Sequence, residues 1–376
     1  MRDVFIAGVG QTPVTKDHRT RGRYLGAAAI RAALADARLE PERVGALYVG
    51  NMLSGILANQ QQLGALIADY AGLAGIEALA VEAACASGGA ALRVAYQAVA
   101  GGIHDAVVVC GVERMTHVER DSVTRALATA TDWEIEGVCG ESFLSLNAQL
   151  MREYMRKYGI AAERFAPFPI AAHGNALTNP HALLHKALDV DTYLASRIVT
   201  EPIRLFDVSP ICNGAAAVVL VAPHVARERA DVPRVRIAGS ALTTAPLALA
   251  RRSDPLDLTA IGASTRRAMQ QAGVSHGDID LFELHDAYTI MTTLTLEAAG
   301  FAKPGAGLDF ADADRIGLKA RGHPVGASGC YQAVEAYLQL AQRAGANQVD
   351  GAGVALVQNI GGTGATVVSH VLLRDD

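Results

Sequence analysis

The sequence predicts an α/β fold assembled from two similar halves, and three observations carry that prediction. Short apolar runs alternate along the chain with segments of helical periodicity. The order of these runs repeats once, in the second half of the chain. Between the halves, from Glu113 to about Phe206, lies a stretch richer in polar residues that lacks the strand rhythm.

Taken in order, Val4–Val9 reads as a buried strand, Gly22–Ala37 as a helix with an alanine-rich face, and Ala46–Gly50 as a second strand. Gln60–Tyr70 reads as helical. Ala78–Ala83 is a strand running into Cys85, and Ala90–Val99 continues with good helix formers until Gly101-Gly102 stops it. Asp105–Gly111 is another buried strand. In the insertion, Ser142–Tyr158 is an amphipathic helix, and Glu163–Asn179 a second one interrupted by Pro167 and Pro169.

Four matches in the same order support an internal duplication. Val4–Gly8 pairs with Val235–Gly239, Ala46–Gly50 with Asp280–Leu284, Ala86-Ser87-Gly88 with Ala327-Ser328-Gly329, and Val107–Cys110 with Val354–Val357. The halves are read as joined through Ala215–Val221 and Pro223–Pro233. The expected organisation is a first half of residues 1–113 plus 206–230, an inserted substrate-binding or lid region of 114–205, and a second half of 231–376.

Composition narrows the function. A chain of 376 residues that is 51% hydrophobic and 19% charged buries a large core. A net charge of −5 gives no reason to expect nucleic acid or an anionic membrane as partner. The charged start Met1-Arg2-Asp3 followed by a short strand is unlike a signal peptide, and no apolar run is long enough to span a bilayer. A cytoplasmic protein is expected. Five cysteines (85, 110, 139, 212 and 330) without Cys-x-x-Cys spacing argue against a disulfide framework and against a metal site.

The chemistry gathers at Val81–Ala90, where a cysteine sits among small residues at a strand-to-helix transition. A helix N-terminus favours the thiolate there, and small neighbours leave room for a substrate. A buried cysteine in a packed junction fits the decapeptide equally well. Three further stretches fall at strand ends or helix starts: His285–Tyr288, Arg321–Ala327 and Gln358–Gly364. If the halves pack about a pseudo-twofold axis, the helix bearing Cys85 faces the helix that begins after His323. Cys85, His285 and His323 then share one pocket. A thiol with a neutral imidazole beside it and backbone N–H groups for an oxyanion is a kit for acyl transfer. Cys110 and Cys330 read as core, and Cys212 as part of a turn. Cys139 and Trp133 carry no role. His104, His117, His181 and His185 read as surface or structural, as does His173, which is also a candidate for lining a channel.

The motifs Glu82–Gly88, Glu283–Tyr288, Gly322–Gly329 and Asn359–Gly364 together resemble the thiolase superfamily, in particular archaeal-type acetyl-CoA acetyltransferases and sterol-carrier-protein thiolases. The likeness runs over essentially the whole chain. It implies two β-α-β-α-β-β halves in a five-layered αβαβα arrangement with an inserted loop domain. It also implies acyl transfer between coenzyme A thioesters, with Cys85 as nucleophile and His323 as its activating base. His285 with His323 would hold the enolate oxygen, and the N–H groups of Cys85 and Gly361 the tetrahedral oxygen. Asn359, Gly326 and Ala327 complete the expected oxyanion and substrate set. Coenzyme A enters as substrate or product, with no permanently bound cofactor. A homodimer or tetramer is implied, together with a small OB-fold/zinc-ribbon partner protein.

Two departures stand out. Degradative thiolases carry Asn-Glu-Ala-Phe where this chain has His285-Asp286-Ala287-Tyr288, and a second cysteine where it has Asn359. Sterol-carrier-protein thiolases place a cysteine where it has Ala287. The group that moves the substrate α-proton is therefore expected to be His285 or His323. The link from Asp309 to Lys319 also departs from the pattern of relatives. Acetyl-CoA condensation is the expected reaction. The alternatives are a thiolase for longer or branched chains, acyl transfer to a non-CoA acceptor, and a scaffold subunit.

Overall fold

The computed structural model describes residues 1–17, 19–228, 233–312 and 321–375. The first half runs β1 (Phe5–Gln11), α1 (Gly22–Ala37), β2 (Ala46–Gly50), a single turn α2 (Ser54–Leu57), α3 (Leu63–Ala71), β3 (Glu77–Val81), α4 (Ser87–Ala100) and β4 (Ala106–Glu113). The insertion contributes α5 (Arg120–Ala128), α6 (Phe143–Tyr158), α7 (Pro167–Ala176), α8 (Val190–Ala195) and a small hairpin of β5 (Ile198–Thr200) and β6 (Ile203–Arg204). The chain returns through β7 (Gly214–Val221) and α9 (Pro223–Ala226). The second half runs β8 (Arg234–Thr244), α10 (Thr259–Ala272), β9 (Leu281–Glu283), α11 (Thr289–Ala298), α12 (Ser328–Leu340), β10 (Val354–Gly361) and β11 (Thr366–Asp375).

Among the described residues the strand order is β3-β2-β4-β7-β1-β8-β11-β10-β9. Among the described residues the two half-sheets meet where Phe5 and Ile6 of β1 pair with Arg236 and Val235 of β8, and where the Ile237 N–H donates to the Val4 carbonyl at 2.9 Å. Helices α4 and α12, almost wholly buried, lie between them in a core that draws on strands of both halves. Outside, α1 and α3 cover the first half-sheet. On the other side, α10 and α11, with α6 and α7 of the insertion, cover the second. The result is helix, sheet, helix, sheet, helix. Each half follows the expected element order, with α3 and strand β3 added before α4 in the first half and α11 before α12 in the second.

Three readings change. Ala215–Val221 is no linker: β7 is a fully buried strand between β4 and β1, as an unbroken apolar run in a covered sheet requires. Pro167 and Pro169 do not interrupt a helix. They occupy the first turn of α7, where a missing N–H costs nothing. Ser142, read as the first residue of its helix, is instead the N-cap of α6, accepting the Ser145 N–H at 3.2 Å. Part of the 309–319 link (residues 313–319), and residues 229–232 of the 223–233 link, lie outside the described residues.

Candidate active site

Cys85 owes its position to a tight bend between β3 and α4. Ala84 takes a φ of 52°, left-handed for a non-glycine residue, at a cost of about 1–2 kcal/mol. Ser87 clamps the bend, accepting the Ala83 N–H at 3.0 Å and donating to the Ala84 carbonyl at 2.6 Å. The thiol is left buried at the head of α4.

The duplicated half supplies the partners. His285 follows β9, and His323 precedes the turn that opens α12. The imidazole rings meet edge to face at 4.8 Å between centroids. A nitrogen of each ring and the Cys85 sulfur all lie within 4.8 Å of one another. His323 Nδ1 is 2.7 Å from the Ser328 hydroxyl, and its Nε2 is buried without a hydrogen-bond partner among the described residues. His285 Nδ1 is 3.2 Å from the Asn359 side-chain nitrogen. Among the described residues, this trio is the group whose spacing would also suit a soft cation.

Burial sets the protonation states. It holds His323 down at about 4, and it pushes His285 well below its ordinary value with help from the adjacent His323. Both rings are neutral at pH 7. The thiol of Cys85 moves the other way, pushed up to about 12 by burial and then by the Glu113 carboxylate. Its own amide and that of Gly362 pull in the opposite direction and lose. The thiolate expected from the helix N-terminus is thus overturned: desolvation outweighs the helix end, and the resting enzyme holds a protonated thiol. Alkylation of Cys85 by iodoacetamide, followed by peptide mapping, is expected to keep accelerating with pH beyond 9. A plateau at or below pH 9 contradicts this, with the exposed Cys139 as the internal reference.

The other predicted residues fall into place behind the trio. The amide directed at the sulfur is that of Gly362, while Gly361 belongs to β10 with its Cα against the Ala83 carbonyl. Gly326 donates its N–H to Glu113 at 3.1 Å, and Ala327 packs its Cα against Gly111. Neither lines the cavity, because the turn buries both against β4. Asn359 also sits behind the wall, with its oxygen on the Gly89 N–H at 3.1 Å. Cys110, Cys212 and Cys330 are fully buried core residues.

Sequence reasoning missed Glu113. This carboxylate is 1% exposed at the end of β4. It accepts from Asn51 Nδ2 at 2.9 Å, from the Met52 and Leu53 amides at 3.0 and 3.2 Å, and from Gly326. It thereby joins the loop after β2 to the turn after His323. Burial raises it to about 7. A buried pair, Arg321 to Glu335 at 3.1 Å, anchors the approach to His323 from the other side.

A cavity of about 670 Å³ opens from the trio between the halves and the insertion. Its walls include Met115, Val123, Leu127, Phe143 and Met291, with Tyr288 beside them, its phenol raised chiefly by burial and further by its nearness to Cys85. His173 lines it, as the channel reading of that residue requires. Lys16, Arg120 and Arg197, all exposed, line it too.

A thiol facing two neutral imidazoles at the junction of two duplicated α/β halves is an arrangement suited to acyl transfer. The chain belongs to the thiolase family: residues 4–224 match the thiolase N-terminal domain and residues 241–374 the thiolase C-terminal domain-like model. It is 42% identical to the acetyl-CoA acetyltransferase of Methanothermobacter thermautotrophicus, over 100% of both chains. It is 36% identical to that of Methanocaldococcus jannaschii, over 99% of both. Its fold is similar to the Ltp2-ChsH2(DUF35) aldolase at a TM-score of 0.85 and 24% identity, covering 99% of this chain and 98% of that one.

Proposed function

We propose that this chain is an acyltransferase that joins two acetyl-CoA molecules into acetoacetyl-CoA through an acyl-Cys85 intermediate, or runs the reverse thiolysis. The observation that carries the proposal is the Cys85 thiol among two neutral imidazoles at the head of the cavity. His323 Nε2 takes the thiol proton as the sulfur attacks the thioester, and returns it to the departing CoA thiolate. The amides of Cys85 and Gly362 flank the sulfur, where the tetrahedral oxygen forms. The enolate of a second acetyl-CoA then attacks the acyl carbon. Lys16, Arg120 and Arg197 suit the phosphates of coenzyme A, which comes and goes as substrate.

The family resemblance supports a homodimer or tetramer and a small OB-fold/zinc-ribbon partner. Edge strand β3, with Leu79 52% exposed, is a surface that pairing would cover. Among the described residues no helix is long and apolar enough to cross a membrane, in keeping with a cytoplasmic enzyme.

One observation favours longer or branched acyl groups as a second reading: the cavity is large for an acetyl group, and its walls beside Cys85 are apolar. A single experiment addresses both. Intact-mass measurement after incubation with acetyl-CoA, and with thioesters of increasing chain length, is expected to show one acyl group on the protein. Cys85→Ser should show none. Labelling that survives Cys85→Ser sinks the nucleophile, and labelling only by longer thioesters transfers the proposal to the second reading.

A further inference from the structure

We infer that Asn359, which stands where relatives carry a second cysteine, is a positioning residue that locks His285 as a hydrogen-bond donor and leaves His323 as the base for both half-reactions. The inference rests on the acyl-transfer reading above. The Gly89 N–H can only donate, so the Asn359 atom that meets it at 3.1 Å is the carbonyl oxygen. The other arm of the side chain, directed at His285 Nδ1 over 3.2 Å, is then the NH₂ group, which also can only donate. Nδ1 must accept. In a neutral imidazole the single proton therefore sits on Nε2.

This tautomer is held in place from several sides. Asn359 is 1% exposed on β10. Gly89, which grips its oxygen, presents its own carbonyl to His370 Nε2 at 3.1 Å. A Cβ at Gly329 would overlap the same oxygen, so α12 closes the remaining side. The Asn359 amide therefore has no room to turn over.

The consequence is a division of labour between two residues of the same type. His285 offers the pocket an Nε2–H and keeps its lone pair on Asn359, so it serves an enolate or thioester oxygen and accepts no proton. His323 Nε2 has no partner among the described residues, and its Nδ1–H has the Ser328 hydroxyl to donate to. The proton account closes without a second cysteine. In the first half-reaction, His323 takes the Cys85 proton and passes it to the CoA thiolate as the C–S bond of the substrate breaks. It is then neutral again. In the second, it takes an α-proton from acetyl-CoA, and the enolate carbon bonds to the acyl carbon. As the acyl–Cys85 bond breaks, the sulfur leaves with the electron pair and takes the proton from His323.

The test reads the tautomer directly. In protein labelled with ¹⁵N-histidine, long-range ¹H–¹⁵N correlation at neutral pH is expected to show His285 protonated at Nε2 and bare at Nδ1. The resonance is assigned by its loss in His285→Asn. Because this measurement uses the resting protein, it stands whether or not acetyl-CoA proves to be the substrate. Failure of wild-type Cys85 to acylate would count against the proposed function alone. The near-isosteric Asn359→Asp keeps an acceptor for Gly89 but turns the other arm into an acceptor, so Nδ1 of His285 should become protonated. Acetylation of Cys85 should then stay within about threefold of wild type, while condensation falls about 10²–10³-fold, as for loss of one oxyanion donor. A wild-type His285 protonated at Nδ1, an Asn359→Asp enzyme that condenses normally, or one that loses acylation and condensation in parallel would each overturn the inference.

Discussion

Replacing His323 by alanine is expected to lower both Cys85 acylation and condensation by about 10²–10⁴-fold, the usual span for a positioned acid–base group. The size follows from the thiol. With Cys85 pushed up to about 12, the spontaneous thiolate fraction at neutral pH is minute, so attack depends on a base that removes the proton as the C–S bond forms. His323 is neutral and its Nε2 has no partner among the described residues, which is what that role needs. Among the described residues its removal strips out one hydrogen bond, to Ser328, so the fold should survive. His285→Ala should behave differently, sparing acylation and depressing condensation, because His285 contributes a donor and no base. Rapid-quench measurement of acyl-enzyme and of product for both variants separates the two outcomes. Equal loss of both steps in both variants would remove the distinction between the histidines.

Local features of the fold were legible where local physics decides them. Helix α1 has the ends read from its sequence, Gly22–Ala37, because Arg38 leaves helical geometry in the left-handed region. Strand β2 likewise runs Ala46–Gly50 as read. Ala215–Val221 was read only as part of the join between the halves, since pairing with β4 and β1, distant in the chain, is what makes it strand β7 of the first half-sheet. At the site, Cys85 and the two histidines were legible from motif and duplication, but their electrostatics were not. The helix-end argument for a thiolate uses only neighbours in sequence. The groups that reverse it are the surrounding core and Glu113, which is 28 positions along the chain. The same holds for Glu113, whose partners at Asn51 and Gly326 are 62 and 213 positions away. Asn359 could be noticed only as a missing cysteine, since its two hydrogen bonds span 270 and 74 positions.

Gly329→Ala is expected to cost about 3 kcal/mol of unfolding free energy and to impair condensation in whatever folds. Helices α4 and α12 cross with backbone against backbone. A Cβ at Gly88 would come within 2.9 Å of the Cys330 nitrogen and the Gly326 carbonyl, and one at Gly329 would overlap the Gly89 nitrogen and the Asn359 oxygen. Main-chain atoms on both sides cannot rotate aside, so the helices must separate or the Asn359 side chain must move. Separation opens the packing of the central layer. Movement of Asn359 releases both Gly89 and His285, so one methyl group couples the core to the chemistry. Gly174→Ala, in α7, provides the opposite case: a Cβ there meets nothing within 4 Å, and the helix should gain up to about 1 kcal/mol. Urea unfolding of both variants beside the parent checks the signs. An unchanged midpoint for Gly329→Ala would mean that the helices yield at the crossing, and that Cys85 and His323 are not held by a close-packed pair.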